Sequence, residues 1–174
     1  MGREILRDVQ GGRASALDLA AQLRGSFVAV SDHKPKPLCN IYLPKEICFL
    51  HAGSKADTSK LISERPLSMQ QIQDLGKSAE AFLSSGDWLK AIHEHAAILN
   101  ESSLWPAPIR EARQQWRQKG WIEDMKSCGA GGGDTWLIWC QESKQDWIRK
   151  SCEDKGWAFV KYAVEPRGVS IDEL

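Results

Sequence analysis

The chain carries Lys126-Ser127-Cys128-Gly129-Ala130-Gly131-Gly132-Gly133-Asp134. Apolar or aromatic residues stand on both sides, with Trp121, Ile122 and Met125 before it and Trp136, Leu137, Ile138 and Trp139 after it. A flexible glycine linker has polar flanks, so these flanks predict a tight loop joining two buried strands. Without Cβ atoms the backbone can take positive φ and approach a ligand closely. Successive N–H groups can then converge on an anion, as in phosphate-binding nests, with Lys126 adding a positive charge. The competing reading is a glycine-rich turn that only permits close packing, and the loop alone leaves the two readings level.

Composition narrows the classes. The 174 residues suit one domain or one and a half, and a hydrophobic fraction of 42% can build a core. Basic and acidic residues balance at 23 each, so net charge argues for neither nucleic acid nor an acidic membrane surface. No apolar run approaches the roughly 20 residues of a membrane span, and Met1 to Gln10 lacks the apolar core of a signal peptide. Five cysteines at irregular spacing, without a CxxC pair, predict reduced thiols in a cytoplasmic protein. The eight tryptophans are expected in the core and at its edges.

Upstream of the glycine loop, Ser15 can cap a helix through Leu17, Leu19, Ala20 and Leu23, entered from Gly11-Gly12. Asp18 lies three residues on, where a carboxylate meets the positive helix end. It is a plain capping group or a carboxylate facing a ligand, and local evidence favours the former. Ser26–Val30 and Leu38–Leu43 read as a strand hairpin across a polar turn at Asp32–Pro37, and Glu46–His51 as a further strand. Thr58 or Ser59 is placed to start a short helix. Ser68 caps a helix whose apolar positions are Met69, Ile72, Leu75, Ala79 and Phe82; Asp87 caps the next, with Leu89, Ile92, Ala96 and Leu99 on one face. His93 and His95 are two apart on that helix and make a poor chelate, and HExxH is absent, so no metal site is predicted. Trp105-Pro106-Ala107-Pro108 opens a third helix, running to Gly120. Trp121–Lys126 and Thr135–Cys140 are the strands around the glycine loop. A helix over Gln145–Asp154, with Trp147, Ile148 and Cys152 inward, and a last strand over Trp157–Val164 complete the pattern, and the tail from Glu165 is expected to be exposed. This order predicts an α+β fold with helices on one face of a mainly antiparallel sheet.

Three stretches together resemble the GHMP kinases, the group of galactokinase, homoserine kinase, mevalonate kinase and phosphomevalonate kinase. The glycine loop is similar to the family's third motif, a Lys followed by Thr or Ser and Gly-Ala-Gly-Gly-Gly, and Asp134 at its end is most like the phosphomevalonate kinase branch. Ser15-Ala16-Leu17-Asp18 resembles the helix start that carries the family's catalytic aspartate. His51 to Ile62 resembles the Thr-Gly…Ser-Thr segment opening the C-terminal domain, and His95 to Leu99 its Asn-x-x-Leu-Leu helix. The likeness covers about Gln10 to Val164.

The resemblance implies a ferredoxin-like C-terminal GHMP kinase domain over 45–174, preceded by part of an N-terminal domain over 1–44. It implies ATP- and Mg²⁺-dependent phosphoryl transfer to a small metabolite, mevalonate or phosphomevalonate, with no nucleic-acid or membrane partner. Asp18 is then catalytic; Gly129, Ala130, Gly131, Gly132 and Gly133 bind the ATP phosphates; Ser15, Lys126, Ser127 and Asp134 bind substrate. The family's Pro-x-x-x-Gly-Leu-Gly-Ser-Ser ATP loop does not occur. Ala16 stands where glycine is usual and Cys128 where serine or threonine is usual, which removes a hydroxyl from the loop. The expectation is a truncated or split kinase whose N-terminal half comes from the same gene or from another chain, or a homo-oligomer covering exposed strand edges. The alternative is a non-catalytic remnant or a binding module with the same fold.

Overall fold

The structure is a computed structural model that describes residues 27–31, 34–38, 42–53, 63–64, 66–101, 104–128 and 134–161. The helices predicted at Ser15 and at Thr58 or Ser59, the tail from Glu165 and residues 39–41 of the predicted second strand lie outside them. Contacts divide the chain into two compact units, one of Met1–Leu43 with Ala163–Leu174 and one of Pro44–Tyr162.

In the first unit β1 (Val28–Ser31) pairs antiparallel with β2 (Lys34–Pro37). A strand therefore runs through the two prolines assigned above to a turn. The register explains how. Ser31 faces Lys34 across a two-residue turn, and the Leu38 N–H donates to the Phe27 carbonyl at 2.8 Å. Hydrogen-bonded pairs alternate with non-bonded ones in an antiparallel ladder. Pro35 and Pro37 fall opposite Val30 and Val28, at the non-bonded positions. A residue without an N–H costs the ladder nothing there.

In the second unit β3 (Ile47–His51), β4 (Asp124–Ser127), β5 (Thr135–Trp139) and β6 (Ala158–Val160) form one sheet in the order β4-β5-β3-β6, every neighbouring pair antiparallel. Between β3 and β4 come α1 (Met69–Ser85), α2 (Trp88–Glu101) and α3 (Ala107–Gln118); α4 (Gln145–Glu153) joins β5 to β6. This is the α+β arrangement that the sequence predicts.

Local signals set the helix ends. The Ser68 hydroxyl accepts from the Gln71 N–H while the Gln71 side chain accepts from the Ser68 N–H, a complete capping box. Gly86, at φ 69°, closes α1 in the left-handed region. The Asp87 carboxylate accepts from the Lys90 N–H at 3.0 Å and caps α2. Pro106 and Pro108 stand at the start of α3, where their missing N–H groups are harmless.

Side chains alternate across the sheet, and one face is the core. Cys48, Leu50, Met125, Ser127, Trp136 and Ile138 on it are all 0% exposed. Ile109, Ala112 and Trp116 from α3 and Ile148 and Cys152 from α4 join them in one apolar cluster, to which α2 adds Ala96 and Leu99. The edge strand β4 is tied to α3 through Asp124. Its carboxylate takes two bonds from the Arg113 guanidinium, at 2.6 and 3.0 Å, and one from the Met125 N–H at 2.8 Å.

Two helix faces differ from the periodic reading. In α1 Met69 and Ile72 are 70% and 51% exposed, whereas Ser78 is buried. The inward stripe is Gln71, Leu75, Ser78 and Phe82, rotated toward a small residue that lets α1 approach α2. In α4 Trp147 is 49% exposed. It lies about 100° around the helix from Ile148, outside the stripe of Ile148 and Cys152, and its ring meets Trp121 at 5.8 Å beneath the Lys144 ammonium. The strand before the glycine loop also starts late, at Asp124, because the chain leaves α3 through Gly120 in the left-handed region.

Candidate functional site

The glycine loop is the β4–β5 hairpin connection. Its ends are pinned by the bond from the Cys128 N–H to the Thr135 carbonyl, at 2.9 Å, and by the pairing of Ser127 with Trp136. At the far end the Asp134 carbonyl accepts from the Ala52 N–H at 2.7 Å, which ties the loop to the segment after β3. Gly129, Ala130, Gly131, Gly132 and Gly133 lie outside the described residues, as do Ser15 and Asp18.

The four described residues of this stretch separate by strand alternation. Ser127 is fully buried in the core face. Lys126 is half-buried on the opposite face, beside Leu137. Its ammonium donates to the Ser127 carbonyl at 2.8 Å, and no ion pair to it occurs among the described residues. Burial lowers its pKa, offset in part by Cys128. Burial likewise raises the Cys128 thiol, against the pull of Lys126, so this thiol is not poised as a nucleophile at neutral pH.

Asp134 starts a short polar chain on the same face. The Thr135 hydroxyl donates to the Asp134 carboxylate at 3.2 Å and lies 3.0 Å from His51 Nδ1. A hydroxyl has one hydrogen, so giving it to Asp134 leaves Thr135 Oγ1 to accept from an Nδ1–H tautomer of His51. Thr135 and His51 face each other across β5 and β3. This partner of His51 is 84 residues away and is paired with it only by the strand register.

His95 is the other residue that the pattern did not single out for this site. It lines a cavity with Lys126 between α1, α2 and the sheet. Burial, with Lys126 adding to it, pushes the imidazole down to about 3, so it is neutral at physiological pH. Its Nδ1 is buried and finds no partner among the described residues. Among those residues no group of three His, Cys, Asp or Glu side chains can hold a metal, and no helix is long and apolar enough to cross a membrane.

No protein-family model matches the chain. No curated protein is similar to it at a meaningful level. Solved structures do match. A mevalonate kinase superposes over 97% of this chain with a TM-score of 0.71 at 14% identity. The Methanococcus jannaschii mevalonate kinase does so over 76% with a TM-score of 0.57 at 13% identity. A phosphotransferase related to the CoA biosynthesis pathway covers 94% with a TM-score of 0.59 at 11% identity. The chain spans about half the length of these structures, 55%, 44% and 52% respectively. A sheet of order β4-β5-β3-β6, with the glycine loop at its β4–β5 turn, is thus held in the fold of the mevalonate kinases and related GHMP-like phosphotransferases.

Proposed function

We infer that the chain acts as an ATP-dependent small-molecule kinase of GHMP type, with mevalonate or phosphomevalonate as acceptor. The observation that carries this reading is the position of the glycine-rich stretch, which connects β4 and β5 of a mevalonate-kinase fold. One of the similar structures, the L. major mevalonate kinase, holds R-mevalonate and matches with a TM-score of 0.55.

In the reaction the acceptor oxygen attacks the γ-phosphorus, the bond to the ADP oxygen breaks, and the acceptor's proton leaves. Asp18 takes or orients that proton, and Ser15, three residues before it in sequence, helps to seat the acceptor. Backbone N–H groups of Gly129 to Gly133 stabilise phosphate charge, and the supply of such fixed donors is most of what phosphoryl transfer asks of a protein. Lys126 adds positive charge at the foot of the loop, Ser127 anchors it through its carbonyl, and Asp134 contacts substrate at the other end. Mg²⁺ is held mainly by phosphates and needs only one or two carboxylates. The half-buried Asp134, an oxygen donor at the loop's edge, fits that need. When bound, the ion neutralises charge on the phosphates.

The test is ADP release by the 174-residue chain with Mg-ATP and mevalonate, phosphomevalonate, homoserine or galactose, beside Asp18→Ala. Turnover that requires mevalonate or phosphomevalonate and disappears in Asp18→Ala is the expected result. Equal ADP release with and without acceptor, or unchanged release in Asp18→Ala, contradicts the reading and favours a binding module of the same fold.

A further inference from the structure

The cavity between α1, α2 and the sheet has a volume of about 210 Å³. Leu75 and Phe82 of α1 and Trp88 and Ile92 of α2 form its apolar walls, with Phe82 and Trp88 edge to face at 4.8 Å. Lys126 and His95 are its ionisable lining groups. The ammonium there has a carbonyl and no carboxylate within reach among the described residues, and His95 Nδ1 lacks a partner among them. An unpaired buried charge and an unpartnered imidazole nitrogen are both costly. A carboxylate entering the cavity relieves the first by accepting from the ammonium.

We propose that this cavity binds a short-chain aliphatic carboxylate, its head at Lys126 and its chain against Leu75, Phe82, Trp88 and Ile92. The volume equals that of roughly seven waters at about 30 Å³ each, which suits a carboxylate of a few carbons such as pentanoate or hexanoate. The occupant is a small molecule and not a peptide or lipid bilayer, because the space is that small and the charge sits inside it. The site shares Lys126 with the kinase reading, but it is tested by binding and not by ATP turnover.

The experiment is calorimetric titration of the full chain with acetate, hexanoate and hexan-1-ol. Each buried methylene strengthens binding about threefold to fourfold, so hexanoate is expected to bind at least tenfold more tightly than acetate. The expected result also has hexanoate well ahead of hexan-1-ol. Ala91→Leu, which fills the cavity from α2, is expected to lose hexanoate by tenfold or more while keeping its melting temperature; if it melts early, Ala79→Leu from α1 replaces it. In Lys126→Met hexanoate is expected to bind no better than the alcohol. Hexanoate no tighter than acetate, or affinity indifferent to both the cavity-filling change and Lys126→Met, overturns the proposal.

Discussion

The two faces of the second unit's sheet are built from the same strands and differ in where they hold polar groups. On one, Cys48, Leu50, Met125, Trp136 and Ile138 are 0% exposed and meet α3 and α4. On the other, Ile47 and Leu137 are buried as well, but beside them stand the half-buried polar groups Lys126, bonded to the Ser127 carbonyl, and Thr135, bonded to His51. A single glycine loop belongs to both: its strands are fixed by the first face and its charged groups stand on the second. The difference teaches that rigidity and chemistry are supplied by alternate residues. Met125 and Ser127 hold the strand while Lys126, between them, is left under-solvated.

The comparison breaks most visibly on the core face. Trp136→Ala removes a fully buried ring packed edge to face on Trp105 at 4.8 Å. It is expected to cost about 3–5 kcal/mol, read as a fall in denaturant midpoint. Arg113→Met leaves Asp124 a buried carboxylate without its bidentate partner. A loss of about 3 kcal/mol is expected, and Arg113→Met with Asp124→Leu recovers much of it. Recovery that fails would show that Asp124 holds β4 through other partners.

The polar face responds to pH instead. His95 is pushed from 6.5 down to about 3 by burial and by Lys126. Between those values the unfolded chain binds the extra proton. Stability from this group is therefore complete above about pH 6.5 and is lost as pH falls toward 3, at up to about 1.4 kcal/mol per pH unit. His95→Phe is expected to flatten that part of the stability–pH curve; an unchanged slope would place the acid sensitivity elsewhere. The smallest effect lies away from both faces: Ser68→Ala opens the capping box of α1 and is expected to cost about 1 kcal/mol, seen in thermal melts.

Much of the fold was legible in the sequence where local signals are strong. Ser68, Gly86, Asp87 and Pro106 mark helix ends, and the apolar flanks of the glycine stretch announce a hairpin of buried strands. The β2 register was not legible, because Pro35 and Pro37 read as turn residues until the partner strand shows that their missing N–H groups point away from the ladder. Trp147 misleads because aromatic character was taken as inward character, whereas its ring lies against Trp121 and a lysine on the surface. At the site, Lys126 and Asp134 could be named from the motif. His51 and His95 could not, since each reaches the loop's strands by sheet register or helix packing and not by spacing.

The central claim is that Lys126 is retained for chemistry at the expense of packing. Burial lowers its pKa, so the charged form is destabilised in the fold. The most direct test measures Lys126→Met twice, by thermal unfolding at pH 7 and by Mg-ATP-dependent ADP release with the best acceptor. The account predicts a melting temperature equal to or above that of the parent protein, with turnover reduced at least a hundredfold. A variant that melts early and keeps its turnover would contradict it, and would make Lys126 a structural residue of β4.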